Sequence, residues 1–217
     1  MQLDTKIDNR AQEELEKKYD TALNTRDNGP SFRRFVYIAT LLFALYHFWT
    51  AGFGTPVDYV HMGIHLSGLF FFIFVGFPLL KTASALKYKG PSMWTPGNVP
   101  LYDWAILLLA ITASLFLWFS WRGFDGFGIQ VSEQTMRQGN PSTIDVVLGS
   151  ILILAVLEIT RRTIGFVLPM IILVFAGYAL LGPYIPLQIL RHPGVDWHQF
   201  VNNMYFPSEG IFGVTLW

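Results

Sequence analysis

The chain has 217 residues, 52% hydrophobic and only 14% charged, and its fifteen Lys and Arg balance fifteen Asp and Glu. A soluble domain carries about 25% charged residues, no basic patch suggests nucleic acid, and a net charge of zero gives no long-range steering. The absence of cysteine excludes disulfides, thiolate metal sites and thiol catalysis.

Residues 1–31 form a charged tail. Within it, Asp8–Leu23 is predicted to be a short surface helix, with Glu13–Lys17 and Glu14–Lys18 in the favourable i, i+4 order and Leu15 and Tyr19 as an apolar pair. The tail is polar and has no apolar signal-peptide core, so the first apolar run is read as a true span.

Five apolar runs follow: Phe35–Phe53, Val57–Leu80, Leu101–Trp121, Ile144–Thr160 and Ile164–Leu181. Each is close to the roughly 20 residues that a helix needs to cross a bilayer core of about 30 Å. Basic residues alternate between the connections. Lys6, Arg10, Lys17, Lys18, Arg26, Arg33 and Arg34 precede the first run, Lys81, Lys87 and Lys89 follow the second, and Arg161 and Arg162 follow the fourth. The other side holds only Arg122, Arg137 and Arg191. The positive-inside rule therefore places the N-terminus in the cytoplasm and everything after Leu181 outside. Trp49, Trp94, Trp104, Trp118 and Trp121 near run ends suit headgroup level.

The connections Lys81–Pro100 and Arg122–Ser142 are rich in Gly and Pro and read as irregular. Ser142 or Thr143 is placed to cap the fourth helix, with Asp145 in its first turn. Pro169 is expected to kink the fifth helix. Beyond it, Asp196-Trp197-His198-Gln199 has the form of a capping box. Trp197, Phe200, Val201 and Met204 share one face, so this short helix is expected flat at the outer interface. The fold class is an all-α integral membrane protein with five transmembrane helices, a cytoplasmic N-terminus, a short cytoplasmic helix and an outer interfacial helix.

Two groups invite chemistry. Glu158 has Arg161 and Arg162 at i+3 and i+4, either as an ion-relay carboxylate or, the favoured reading, as an interfacial ion pair that sets helix depth and anchors a neighbour. His61 and His65 lie i, i+4 in the second run, with His47 in the first; haem or metal ligation competes with plain helix–helix hydrogen bonding, and the third to fifth runs contain no histidine. Asp58 and Asp103 sit at helix starts, where a carboxylate suits the dipole. No P-loop, Rossmann glycine pattern, HExxH or GxSxG element is present, so an enzyme is not expected. No run contains a chain of ionisable groups or a pair of Gly-broken helices, which marks a scaffold more than a conduit.

Several pieces occur together in order: Tyr102-Asp103-Trp104; Gly139-Asn140-Pro141-Ser142-Thr143-Ile144-Asp145 with Gly149; Leu157-Glu158-Ile159-Thr160-Arg161-Arg162-Thr163-Ile164-Gly165; Phe175-Ala176-Gly177-Tyr178; and Tyr205 with Glu209-Gly210-Ile211-Phe212-Gly213. This set, over about residues 60–217, resembles the N-terminal part of a fused TRAP (tripartite ATP-independent periplasmic) transporter permease, in which a four-helix region precedes a twelve-helix one. Beyond the charged cytoplasmic tail over 1–31, the resemblance implies a four-helix membrane scaffold over 32–162, a fifth, connecting helix over 163–186, and an outer interfacial helix with the start of the large permease region over 187–217. It implies sodium-coupled import of organic acids such as dicarboxylates or glutamate-like acids across a bacterial or archaeal cytoplasmic membrane. The partners it implies are the large permease region, a periplasmic binding protein of the TAXI class, and the bilayer. Substrate and sodium sites are expected in the large region, so this chain would hold no cofactor. Glu158, Arg161 and Arg162 are the candidate anchoring residues, and Trp197, Phe200 and Met204 the candidate outer interface. The alternative is a haem-binding or other redox membrane subunit using His47, His61 and His65.

Overall fold

The computed structural model describes residues 25–79, 96–126, 128–206 and 210–213. The expected tail helix over 8–23, most of the 81–100 connection and Glu209 lie outside these residues.

Helix α1 (Pro30–Phe53) starts after Gly29, with Pro30 in its first turn, where a missing N–H costs nothing. Helix α2 (Asp58–Gly76) follows, and α3 (Leu101–Phe119) starts behind Pro100. The connection after α3 is more ordered than its Gly content suggests. Strand β1 (Phe124–Gly126) pairs antiparallel with β2 (Ile129–Val131), and a single helical turn, α4 (Gln134–Arg137), leads to α5 (Thr143–Thr163). The expected cap is present as a reciprocal box: Ser142 N–H donates to Asp145 Oδ2 at 2.9 Å, and Asp145 N–H points back to Ser142 Oγ. Helix α6 (Val167–Leu181) begins later than its apolar run, and Gly165, at φ 102°, makes the turn between α5 and α6. Pro169 thus lies in the first turn of α6, where it initiates the helix and has no earlier turn to kink. Helix α7 (Trp197–Tyr205) is capped by Asp196, whose Oδ1 accepts from Gln199 N–H at 2.7 Å.

Helices α1, α2, α3 and α5, together with α6 and its 3₁₀ extension to Tyr184, are long and apolar enough to cross a membrane. The core lies among α2, α3 and α5. Met62, Leu66, Phe70 and Phe74 recur every fourth residue of α2, opposite Leu107, Ala110, Ala113 and Leu117 of α3 and Leu152, Ala155 and Ile159 of α5. Between helices in lipid, apolar burial drives little association, because lipid tails are as apolar as leucine. Close backbone approach and polar contacts matter more. A Cβ on Gly63 would stand 3.2 Å from the Ser114 carbonyl, and Ser114 Oγ donates to the Gly63 carbonyl at 3.1 Å.

Helix α1 buries only Thr50 and rests on α2 through rings: Phe35 on Phe71, and Phe43 on Phe72 and over the bare face of Gly68. Helix α6 buries only Pro169 among its own residues and leans on α5.

The last segment turns inward. Sequence places α7 flat at the interface, and in the structure its Val201, Asn202 and Tyr205 face packs on the bundle. Tyr205 Oη donates to the Ala113 carbonyl at 2.7 Å. At roughly 1.5 Å of rise per residue, Ala113 sits about 9 Å inward from Phe119, the last residue of α3. Phe206 and Phe212 continue the core, and Ile211 N–H closes a turn onto the Met204 carbonyl at 2.8 Å. Replacing Tyr205 by Phe removes one neutral buried hydrogen bond and is expected to lower stability by about 1 kcal/mol, read as a small fall in Tm in detergent with unchanged helix content.

Candidate functional site

The basic end of the bundle is joined by ionic contacts. The α3 residue Asp103 is wholly buried and holds two guanidiniums, Arg26 Nη2 at 2.8 Å on Oδ2 and Arg162 Nη2 at 2.7 Å on Oδ1. Arg162, also fully buried, donates through Nε to Glu158 Oε1 at 2.7 Å and through Nη1 to the Phe77 carbonyl at 3.0 Å, and its guanidinium lies 4.6 Å from the centre of the Phe74 ring. Arg161 grips both Glu158 oxygens at 2.9 Å and reaches the Leu79 carbonyl at 2.7 Å. Arg26 N–H donates to the Gly76 carbonyl at 2.7 Å. One continuous network therefore ties residue 26, the end of α2, the start of α3 and the end of α5. The triplet Glu158, Arg161 and Arg162 is visible in the sequence as one helical face; Arg26 and Asp103 are distant partners that local spacing does not reveal.

The opposite end has a second lock. Arg137 of α4 is buried and donates to Asp145, to the Ser132 carbonyl through Nε at 2.9 Å, and to Ser120 Oγ through Nη2 at 2.7 Å. Phe116 and Phe206 lie on its guanidinium at 5.6 and 5.5 Å. Asp145 thus serves both as cap residue and as counter-ion. Asn202 Oδ1 accepts Gly139 N–H at 2.8 Å, and Tyr59 Oη donates to the Phe206 carbonyl at 3.0 Å, so the inserted segment is fastened to this lock. The scarcity of basic residues on that side is the signal that could have singled out Arg137.

The three histidines do meet, between α1 and α2. His47 Nδ1 lies 2.8 Å from the Phe43 carbonyl, so it carries the proton; its Nε2, 2.7 Å from His65 Nδ1, accepts in the neutral ring. Tyr46 Oη and His61 Nδ1 are 3.0 Å apart. Both His47 nitrogens are engaged, and His61 and His65 project from one face of one helix. Among the described residues no group of three or more His, Asp or Glu is arranged to hold a metal ion.

Trp197, Phe200 and Met204, the proposed outer interface, line an apolar groove of about 680 Å³. Leu66 and Leu69 of α2, Ile153 and Leu157 of α5, and Ile172 and Ala176 of α6 also line it, and Trp197 Nε1–H donates to Ser150 Oγ at 3.0 Å.

Helices, locks and groove together define a multi-pass, all-α membrane protein whose apolar helices suit a lipid bilayer. Compared with protein-family models, with curated proteins and with solved structures, the chain matches none of them.

Proposed function

We propose that the chain is the membrane scaffold part of a TRAP-type secondary transporter, which imports organic acids such as dicarboxylates or glutamate-like acids with sodium. In this reading a periplasmic binding protein delivers the substrate, a large permease region carries substrate and sodium, and the assembly sits in a bacterial or archaeal cytoplasmic membrane. The supporting observation is that Asp103, Asp145 and Glu158, the described carboxylates of α3 and α5, are all committed to arginines. A carboxylate held this way does not exchange a cargo ion; it fixes helices against one another, as a static support for a moving domain requires. Glu158, Arg161 and Arg162 anchor, and the exposed flanks of α1 and α6 widen the membrane footprint.

The test is uptake of a labelled organic acid by cells expressing the chain with a large permease and binding protein encoded beside it. Uptake is expected to need all three parts, and the chain to copurify with the permease. Undiminished uptake without this chain would remove the scaffold reading. The purified protein is expected to show no Soret absorbance; a Soret band would favour the redox alternative.

A further inference from the structure

We propose that the basic end holds a phosphate group at Arg26, supplied by an anionic lipid headgroup or by a free phosphate ion. Two independent observations lead there. First, the network of Arg26, Arg161 and Arg162 with Asp103 and Glu158 sets three guanidiniums against two carboxylates, leaving one positive charge in excess. Arg161 and Glu158 are 28% and 22% exposed, so water screens part of that excess, whereas the wholly buried Arg26 and Arg162 share the single carboxylate of Asp103. Second, the Arg26 side chain is only 1% exposed, yet only its Nη2 is satisfied: Nε and Nη1 have no hydrogen-bond partner. Trp104, next to Asp103, has a buried indole N–H that is likewise unpartnered. Buried donors in native proteins are normally paired, so two orphaned N–H groups on a guanidinium that shares its one carboxylate with Arg162 mark a place for a further acceptor; Asn28 Oδ1, two residues along, is a buried acceptor that is also unpartnered.

The location selects the anion. Asp103 starts α3, Gly76 ends α2 and Arg162 lies in the last turn of α5, so the site is at the level where helices leave the hydrocarbon. Phosphate is the abundant oxyanion there, and guanidinium presents several N–H donors to it. Arg33 and Arg34, exposed on the first turns of α1, add positive potential around the site. Asp27 supplies no buried charge: it is 71% exposed at the side chain and holds Arg33 at 3.0 Å. The positive end of the α3 dipole adds to the same field. The inference is independent of any transport activity.

The test uses the full chain in nanodiscs of phosphatidylcholine alone or with phosphatidylglycerol, and in detergent with inorganic phosphate or chloride at matched ionic strength. Wild type is expected to gain Tm with phosphatidylglycerol and to retain one such lipid in native mass spectra. An equal gain with inorganic phosphate assigns a free ion in place of the headgroup, still at Arg26. R26K keeps a cation for Asp103 but lacks the spare guanidinium donors, so it is expected to fold and to lose the gain. W104F, which removes the indole donor and keeps an aromatic ring against Phe32, is expected to reduce the gain even if R26K proves unstable. R33A with R34A is expected to leave most of the gain in place. The proposal fails if wild type shows neither Tm gain nor retained lipid, if R26K responds as wild type does, or if removing Arg33 and Arg34 abolishes the response while R26K does not.

Discussion

Replacing Arg162 by alanine is expected to destabilise the bundle by about 3–5 kcal/mol, the usual result of removing one partner of a buried ion pair. The side chain is fully buried and serves Asp103, Glu158 and the Phe77 carbonyl at 2.7, 2.7 and 3.0 Å. Alanine leaves Asp103 out of water with half its compensation and opens a space beside Phe74. The natural control is Arg33→Ala. The Arg33–Asp27 pair has the same chemistry and a 3.0 Å contact, but its side chains are 60% and 71% exposed, and such pairs are worth about 0–1 kcal/mol. Thermal unfolding in one detergent, with both variants side by side, separates the two regimes. Arg162→Lys is expected to fall between them, because a single ammonium cannot reproduce the guanidinium's spread of donors. Equal losses for R162A and R33A would mean that Arg162 is hydrated and the buried network is not formed.

Gly149→Leu is expected to expel the inserted segment while leaving the spans intact. A Cβ at Gly149 would stand 2.5 Å from Val201 Cγ1 and 3.2 and 3.3 Å from Tyr205 Cγ and Cβ. Forcing carbon into a packed contact costs about 1–3 kcal/mol, and α7 is the part free to move. Within α5 itself the change is favourable, since Gly is the poorer helix former by up to about 1 kcal/mol. The stress therefore falls on docking. Displacement of α7 would also break the Tyr205–Ala113, Asn202–Gly139 and Trp197–Ser150 hydrogen bonds. The natural absence of cysteine makes the readout clean: V201C is expected to resist a water-soluble thiol reagent in the wild-type background and to react when combined with G149L. Rapid labelling of V201C in both backgrounds would show that α7 is not inserted.

The spans were legible because length and apolarity are local properties. The run Leu101–Trp121 became α3 over Leu101–Phe119, and Ile144–Thr160 became α5 over Thr143–Thr163. The Ser142–Asp145 box was legible for the same reason, its partners being three residues apart. Pairings across the chain were not. Arg26 meets Asp103 across 77 residues, Tyr205 meets Ala113 across 92, and nothing in local spacing selects those partners. Helix α7 shows the ambiguity most directly. An apolar face of nine residues reads the same whether it meets headgroups or other helices, and a buried Tyr and Asn at its inner end resemble polar residues turned to water. The connection after α3 misled differently: Gly123 leads into the hairpin and Gly128 lies between its strands, both at positive φ, so glycines that suggested irregular chain instead permit its turns.

The inserted segment also sets an order of assembly. Tyr205 hangs on a carbonyl of α3, while Val201 presses on a glycine of α5, so the seat for α7 is complete only after those two helices have paired. Docking of α7 is expected to follow the pairing of α3 with α5, and the time course of V201C thiol protection against helix formation checks it.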